Sequence, residues 1–584
     1  MSGKSALRLL APLGFAAGLL IAALPALAAK GAKPVFGPHV IIFDPSMPSQ
    51  AIQKQIDAVY AIQQHNEFGP QRNALLFLPG SYSVDLPVGF YTEVMGLGAS
   101  PNATRIAGNM HADASHDHNN ATTTFWRAAE GLSIEPAGGT MQWAVSQAVS
   151  LRRMHVRGNL VLHQHHGWAS GGWMSDSLVD GNVDSGSQQQ WISRNCDWKS
   201  WTGSNWNMVF VGVVHPPEGA WPSPPYTTVA QTPVVREKPF LQVNAAGEYS
   251  VQVPALRSDS VGITWGAGTR NGGETAGETI PIERFYIARP DTDTAETINA
   301  QLALGKNLIL TPGIYDLTAP IRVTRPHTVV LGLGFATLRP VKGTAAMTTA
   351  DADGIEIAGL LFDAGPSESP VLLEVGPEES RARHAKDPIA LHDVFFRVGG
   401  AGVGRAKVNL RINSNDTLVD HTWIWRADHG DGVGWELNTS DNGLVVNGND
   451  VTIYGLFVEH HQQFQVLWNG NGGRTYFYQS EIPYDPPNQS SYTSAPGVNG
   501  WASYKVAAGV TSHEAWGLGV YSVFIYPDVV LTRAIETPKK PSVRFHDMIT
   551  VALGDHGAIN HVIDDTGEAT SMHPRVTPKV TDFP

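Results

Sequence analysis

Two stretches of this chain, some 230 residues apart, repeat one order of elements. In the first, Val40-Ile41-Ile42-Phe43-Asp44-Pro45 leads into the helix-like segment SQAIQKQIDAVYAIQQ, with Ile52, Ile56, Val59 and Tyr60 at helical spacing. Next come Leu75-Leu76-Phe77-Leu78-Pro79-Gly80-Ser81-Tyr82 and Val94-Met95-Gly96-Leu97-Gly98. In the second, Phe285-Tyr286-Ile287-Ala288-Arg289-Pro290 leads into ETINAQLALG, then Leu308-Ile309-Leu310-Thr311-Pro312-Gly313-Ile314-Tyr315, then Val329-Val330-Leu331-Gly332-Leu333-Gly334. A single Pro-Gly turn recurs by chance; strand, helix, Pro-Gly-x-Tyr turn and Gly-Leu-Gly in one order do not. The chain is therefore an internal duplication, and whatever one half folds into, the other repeats.

The segments after each opening module set the architecture. In the second half the strand-like runs VNLRI, TLVDHTWIW, GLVV, VTIYGLFV, FQVLW and TYFYQ alternate with turns such as NSND, NGND and NGNG. Leu444 and Val466 stand 22 residues apart, about one coil of a parallel β-helix. Sixty Gly, 39 Pro and only 16% charged residues agree with an all-β chain of many turns. The expected fold is all-β, two tandem right-handed parallel β-helices side by side with a groove between them. A β-sandwich is the alternative. A leader over 1–29, an N-terminal unit over 30–270, a Gly-rich link over 271–281 and a C-terminal unit over 282–584 are the expected divisions.

The leader reading rests on Lys4 and Arg8 ahead of an apolar run that ends in Ala26-Leu27-Ala28, the pattern of a secretory signal. Export, no membrane attachment after cleavage and a monomer are expected. The single Cys196 excludes an intramolecular disulfide. A net charge of −13 argues against nucleic acid or anionic membrane as partners and makes a polyanionic glycan a poor fit. Sixteen Trp and 15 Tyr suit a neutral polysaccharide, whose rings stack on aromatic faces.

The stretch from Glu459 to Pro487, EHHQQFQVLWNGNGGRTYFYQSEIPYDPP, carries the chemistry. Glu459 and Glu481 are 22 residues apart, so one coil places them on adjacent rungs, about 4.8 Å apart along the sheet. Two carboxyls that close do not both ionise readily, which leaves one protonated as a general acid. Asp428 beside His429 is a candidate base or hydroxyl ligand. In the first half, Gln147, the segment from His163 to Asp176 and the Gln-rich strand at Gln189 offer amides and hydroxyls beside Trp, as a sugar subsite needs. No cofactor is expected and no metal either: the spacing of His111, His116, His118 and His460 fits no zinc pattern, and Asp113, Asp117 and Asp428 do not converge as calcium ligands would.

The order WAVSQA, ASGGWMSD, a Gln-rich strand, WIWRADH, GLFVEHHQQFQ and YQSEIPYDPP resembles glycoside hydrolase family 55 over almost the whole chain after the leader. That resemblance implies the double β-helix, or rib-cage, fold and an inverting exo-β-1,3-glucanase that releases glucose from β-glucan ends. It implies Glu481 as general acid and Glu459 as a second carboxylate that keeps it protonated. Gln147 and Ser170 match positions holding the hydrolytic water or the terminal sugar; the base stays open between Asp428 and a water held by Gln147 and Ser170. Asp176, Gln189, Trp425, His429, His460, Gln465 and Tyr484 are the remaining candidate sugar contacts. The sequence departs from the family where PYDPP replaces PYYQP and where WASGGWMSD lacks a Glu-Asn pair. Another glycan, a β-helix lyase, or a glycan-binding protein without turnover are the competing functional readings.

Overall fold

A computed structural model describes residues 1–3, 34–266 and 275–584. The leader expected over 1–29 lies, from residue 4 on, outside the described residues. The expected architecture is present: the regular structure of the described chain is nearly all β, stacked in parallel sheets, with two short α-helices, Ser49–Gln63 and Ala295–Ala303.

In the first half, nine parallel strands stack from Val40–Phe43 through Asn73–Phe77 and Thr92–Gly96 to Tyr226–Val229, with a ten-stranded sheet as the other side of the coil. In the second, a sheet of eleven parallel strands and one antiparallel strand begins at Phe285–Ala288 and Asn307–Leu310 and includes Leu418–Arg426, Thr452–Glu459, Gly473–Glu481, His513–Ser522 and Val543–Ala552. Its companion has eight strands. Each coil fills its own interior with Val, Ile, Leu and Phe. Continuous apolar runs such as LLF and VTIYGLFV read as buried on both faces for that reason.

The duplication holds at the level of atoms. Tyr82 Oη donates to the carbonyls of Phe43 and Leu78 at 3.0 and 2.7 Å, and Tyr315 Oη to those of Ala288 and Thr311 at 2.9 and 3.0 Å. Both Pro-Gly turns need glycine in one conformation, φ +150° at Gly80 and at Gly313, where a Cβ would run into Pro45 or Pro290.

The two large sheets face each other across an aromatic layer in which Trp126, Trp173 and Ile192 of the first half meet Phe395, Trp423 and Phe457 of the second. Strands of the second sheet kink at one shared column of left-handed residues: Gly359, Asp393, His421, Gly455, Phe477, Gly517 and Asp547 all have φ between +49° and +74°. Gly455 is glycine because Trp173 lies against its backbone, 2.6 Å from where a Cβ would sit. Asp393 and His421 instead turn polar side chains toward the other half, into a buried charge network. Arg152 donates to Asp393 at 2.7 and 2.9 Å and to Asp420 at 2.7 Å; Arg194 donates to Asp420 at 2.9 and 3.0 Å and to Glu237 at 2.8 and 2.6 Å.

The link expected over 271–281 is not all link. Gly277–Pro281 is a strand of a three-stranded antiparallel sheet with Phe240–Val243 and Tyr249–Pro254. Turn-rich composition hid it, because a single Thr-Ile pair among Gly, Glu and Pro is weak strand sequence.

Candidate active site

The C-terminal edge of the large second-half sheet and the N-terminal edge of the large first-half sheet meet around a cavity of about 440 Å3. Glu459 ends the strand Thr452–Glu459 and Glu481 ends Gly473–Glu481; these strands are paired in register, Phe457 opposite Gln479, and the His460 amide donates to the Glu481 carbonyl at 2.8 Å. The 22-residue spacing thus places both carboxyls on adjacent rungs, in the wall of one cavity. Opposite them stand Gln147, Ser170 and Gln189, each just ahead of a first-half strand.

Glu459 is 3% exposed, and each of its oxygens has a donor: Gln147 Nε2 to Oε1 and the Trp423 indole to Oε2, both at 2.8 Å. Burial, helped by the negative charge of Asp428, carries it up to about 7 in spite of hydrogen bonds from Gln479, Trp423 and Gln147. Glu481 has far weaker support, a single long contact from Gln479 Nε2 to Oε1 at 3.5 Å. Burial first, then the charges of Glu459 and Asp428, push it well above the carboxylate range, the direction a general acid needs. Sequence reasoning gave Glu459 the main part in this; the concave wall that strips water from Glu481 is the larger cause. Gln147 ties the halves together through its bond to Glu459, and on its own side its Oε1 accepts from Ser170 Oγ at 3.0 Å, which lies 3.0 Å from Ser146 Oγ.

Asp428 behaves differently. Burial works to raise it, but the rings of His460 and His429 hold it down at about 2. His429 Nδ1 lies 3.1 Å from Asp428 Oδ1 and its Nε2 lies 2.8 Å from Glu67 Oε1. Burial pulls His429 down, yet these two carboxyls carry it up to about 10. The end of the cavity therefore holds a fixed anion and a fixed cation, suited to grip sugar hydroxyls. Trp425, stacked on Trp423 with ring centres 4.6 Å apart, lines the same end, and Tyr484 meets His460 edge-on at 4.4 Å.

Of the expected site residues, Glu481, Glu459, Asp428, Gln147, Ser170, Gln189, Trp425, His429, His460 and Tyr484 come together in this wall. Asp176 does not: it is buried at the opposite edge of the sheet, accepting from the Thr264 amide at 2.5 Å and hydroxyl at 2.7 Å. Ser170 precedes the strand Trp173–Ser175 and Asp176 comes after it, and about six residues of extended chain span about 20 Å. Gln465 is likewise absent from the cavity; fully buried, it staples a turn, accepting from the His461 amide and donating to its carbonyl, both at 2.8 Å. Sequence reasoning missed Phe125, Trp206, Met572, Arg575 and, as a site residue, Trp168. Trp168 is 48% exposed and stacks on Trp206 at 6.1 Å, an uncovered aromatic ledge at the far side of the cavity. The Gly-Trp step in HHGWASGG was the available signal for it.

The departure from the PYYQP pattern has a structural role. Asp485 takes a bidentate bond from Arg426, 2.9 and 2.8 Å, and the same guanidinium donates to the carbonyls of Asn438 and His460. This pair ties the turn after Glu481, with Tyr484, to the strand that bears Trp425. Asp485→Ala is expected to lower kcat about tenfold, with a smaller change in the thermal midpoint, because a catalytic group displaced by a fraction of an ångström loses its alignment. Steady-state kinetics beside a melting curve checks it. Among the described residues no group of three or more His, Cys, Asp and Glu is arranged to hold a metal ion.

The chain is similar to known proteins over almost its whole length. The family described as LAM55 pectate lyase-like domain matches residues 285–481, ending on Glu481. The chain is 47% identical over 551 residues, 94% of its length and 89% of the relative's, to an exo-beta-1,3-glucanase from Streptomyces sp. (strain SirexAA-E / ActE). The solved structure of sacteLam55A from Streptomyces sp. SirexAA-E superposes with a TM-score of 0.91 at 46% identity, covering 94% of this chain and 99% of that one. A glutamate-to-alanine variant of sacteLam55A in complex with glucose superposes with a TM-score of 0.92 at 46% identity and the same coverage.

Proposed function

Because this chain belongs to glycoside hydrolase family 55, we propose that it is an exo-acting β-1,3-glucanase that removes glucose from the ends of a neutral β-glucan by inversion, with Glu481 as general acid. The observation that carries the reading is the pair of carboxyls on adjacent rungs, one with a single long contact and pushed well above the carboxylate range, the other held by two close donors.

Glu481 gives its proton to the glycosidic oxygen as the bond to the anomeric carbon breaks and positive charge spreads over the ring. Water attacks from the other face, where Gln147 and Ser170 present oxygen atoms to orient it. Its proton goes to Ser170 Oγ as Ser170 passes its own to Gln147 Oε1 and Gln147 gives an Nε2 proton to Glu459, leaving the amide as its imidic tautomer until the protons return; an affinity for protons near pH 7 suits Glu459 as the general base. A role for Glu459 as nucleophile is disfavoured, since Gln147 and Trp423 occupy both its oxygens. Asp428, ionised at any working pH, serves better as a hydroxyl ligand of the terminal sugar than as the base. Trp168 and Trp206 offer a stacking face for the next sugars of the chain. The basic apolar leader supports export, and the net negative charge supports a neutral glucan rather than a polyanion.

A panel of β-1,3-, β-1,4-, β-1,6- and mixed-linkage glucans tests the substrate: glucose from laminarin, with little from the others, is expected. An unsaturated product absorbing in the ultraviolet would make the enzyme a lyase instead. The pH profile carries a further prediction. Activity requires Glu459 ionised and Glu481 protonated, and the charge of Asp428 raises both groups. Asp428→Asn therefore moves both limbs of the profile to lower pH, beyond whatever rate it loses through sugar binding. Limbs that stay in place would put Asp428 outside this electrostatic unit.

A further inference from the structure

The end of the cavity at His429 is closed by a piece of the other half. The loop 66–72 of the first half reaches across to the second, where Glu67 Oε1 lies 2.8 Å from His429 Nε2. Next to it Phe68 packs edge-on against His429 at 5.5 Å and face-on against Trp425 at 6.1 Å. The Phe68 ring is seated between Gly400 and Gly430, where a Cβ would stand 2.5 and 2.8 Å from ring carbons, so it fits flush between two neighbouring turns of the second half. The loop is itself anchored: Tyr91 Oη donates to the Glu67 carbonyl at 2.6 Å, Arg72 to that of Gly69 at 2.7 Å, and Asn66 to Gln63 and to the carbonyl of Gln71.

Past this contact the C-terminal edge of the same second-half sheet carries another hollow. A second cavity of about 310 Å3 is lined by Asp363, Ala364, Ala401, Gly402 and Val403, which come at or after the ends of the strands Glu356–Asp363 and Ala390–Val398, the rungs before the one that carries Trp425. Of the two glycines that seat Phe68, Gly430 follows His429 of the first cavity and Gly400 precedes Ala401 of the second. His429, free to rotate on an exposed turn, would not by itself wall off one from the other; a ring nitrogen bound on each side, to Asp428 and to Glu67, fixes it there.

We propose that Glu67 and Phe68 are positioning residues that hold His429 as the end wall of the catalytic cavity and thereby limit the released product to one sugar. This rests on the exo-glucanase reading above and goes beyond it, because it assigns product length to a contact between the two halves, made by residues outside the cavity lining. With the wall loosened, the terminal sugar can advance into the space toward the second cavity, and the second glycosidic bond comes under Glu481.

The test is the product pattern from a linear β-1,3-linked glucose hexasaccharide, followed by chromatography from the first minutes, with folding checked by thermal melting. Wild-type protein yields glucose alone. Glu67→Ala and Phe68→Ala yield the β-1,3-linked disaccharide alongside glucose from the start, with KM raised more than kcat is lowered. Glu67→Gln, which retains the shape and one hydrogen bond to the ring, returns the pattern to glucose alone. Phe68→Leu keeps apolar contact with Gly400 and Gly430 and serves if the alanine variant melts early; it also releases some disaccharide. Folded variants that release glucose only, or that lose turnover altogether, overturn the proposal. A wild type that itself gives disaccharide or internal fragments overturns the exo reading instead, so the two failures are distinguishable.

Discussion

Glu481→Gln is expected to lower glucose release from laminarin by on the order of 10²–10⁴-fold, with KM little changed. The amide keeps the shape of the side chain and removes its transferable proton, so the loss measures proton donation alone. A substrate with a good leaving group, such as a dinitrophenyl β-glucoside, needs no proton on its departing oxygen and should lose far less. The same high-pH limb that reports Glu481 in the wild type disappears in the variant. If the two substrates lose activity equally, Glu481 acts through binding or fold and the acid is another residue. The expectation rests on burial, with only the long contact from Gln479, and on the charges of Glu459 and Asp428, which together raise Glu481 well above the carboxylate range.

Asp420→Asn gives the largest expected loss of stability. Asp420 of the second half accepts from Arg152 and Arg194 of the first, all three 2% exposed or less. Removing its charge leaves two guanidiniums buried with too little compensation, a change that costs about 3–5 kcal/mol in comparable networks. The thermal midpoint should fall by on the order of 5 °C. Activity falls with it, because the cavity is assembled from both halves. The network also sets the acid limit. Burial opposes ionisation of Asp393 and Asp420, but the arginines and histidines around them outweigh it and hold both well below the usual carboxylate range. A depressed carboxylate stabilises the fold above its unfolded value of about 3.9 and loses that contribution as pH falls. Wild-type stability should therefore drop steeply below about pH 4, and Asp420→Asn should flatten that drop. A variant as stable as the wild type would mean that the aromatic layer alone holds the halves together.

Much of this molecule was legible in its sequence because its repeats are local. The Pro-Gly-x-Tyr turns and the 22-residue interval record the coil directly, and in a parallel coil the interval fixes which residues share an edge. Glu459 and Glu481 were found that way, and Gln147 and Ser170 by the motifs around them. What could not be read was made by the docking of one coil on the other. Glu67 meets His429 across 362 residues, and Arg194 meets Asp420 across 226, with no periodicity to announce either contact. Asp176 and Gln465 went astray for the converse reason: each lies close in sequence to true site residues, but a strand or a turn carries it to another face. The ledge of Trp168 and Trp206 escaped because most of the 16 tryptophans are core residues, and the Gly-Trp step in HHGWASGG marks the exposed one only weakly.

The most direct test of the account is the anomer of the first glucose released from laminarin, followed by proton NMR before mutarotation sets in. A single displacement by water held at Gln147 and Ser170 predicts α-glucose from the β-linkage. Initial β-glucose would contradict it, since retention needs a covalent intermediate and would make Glu459 a nucleophile in spite of the two donors that hold it.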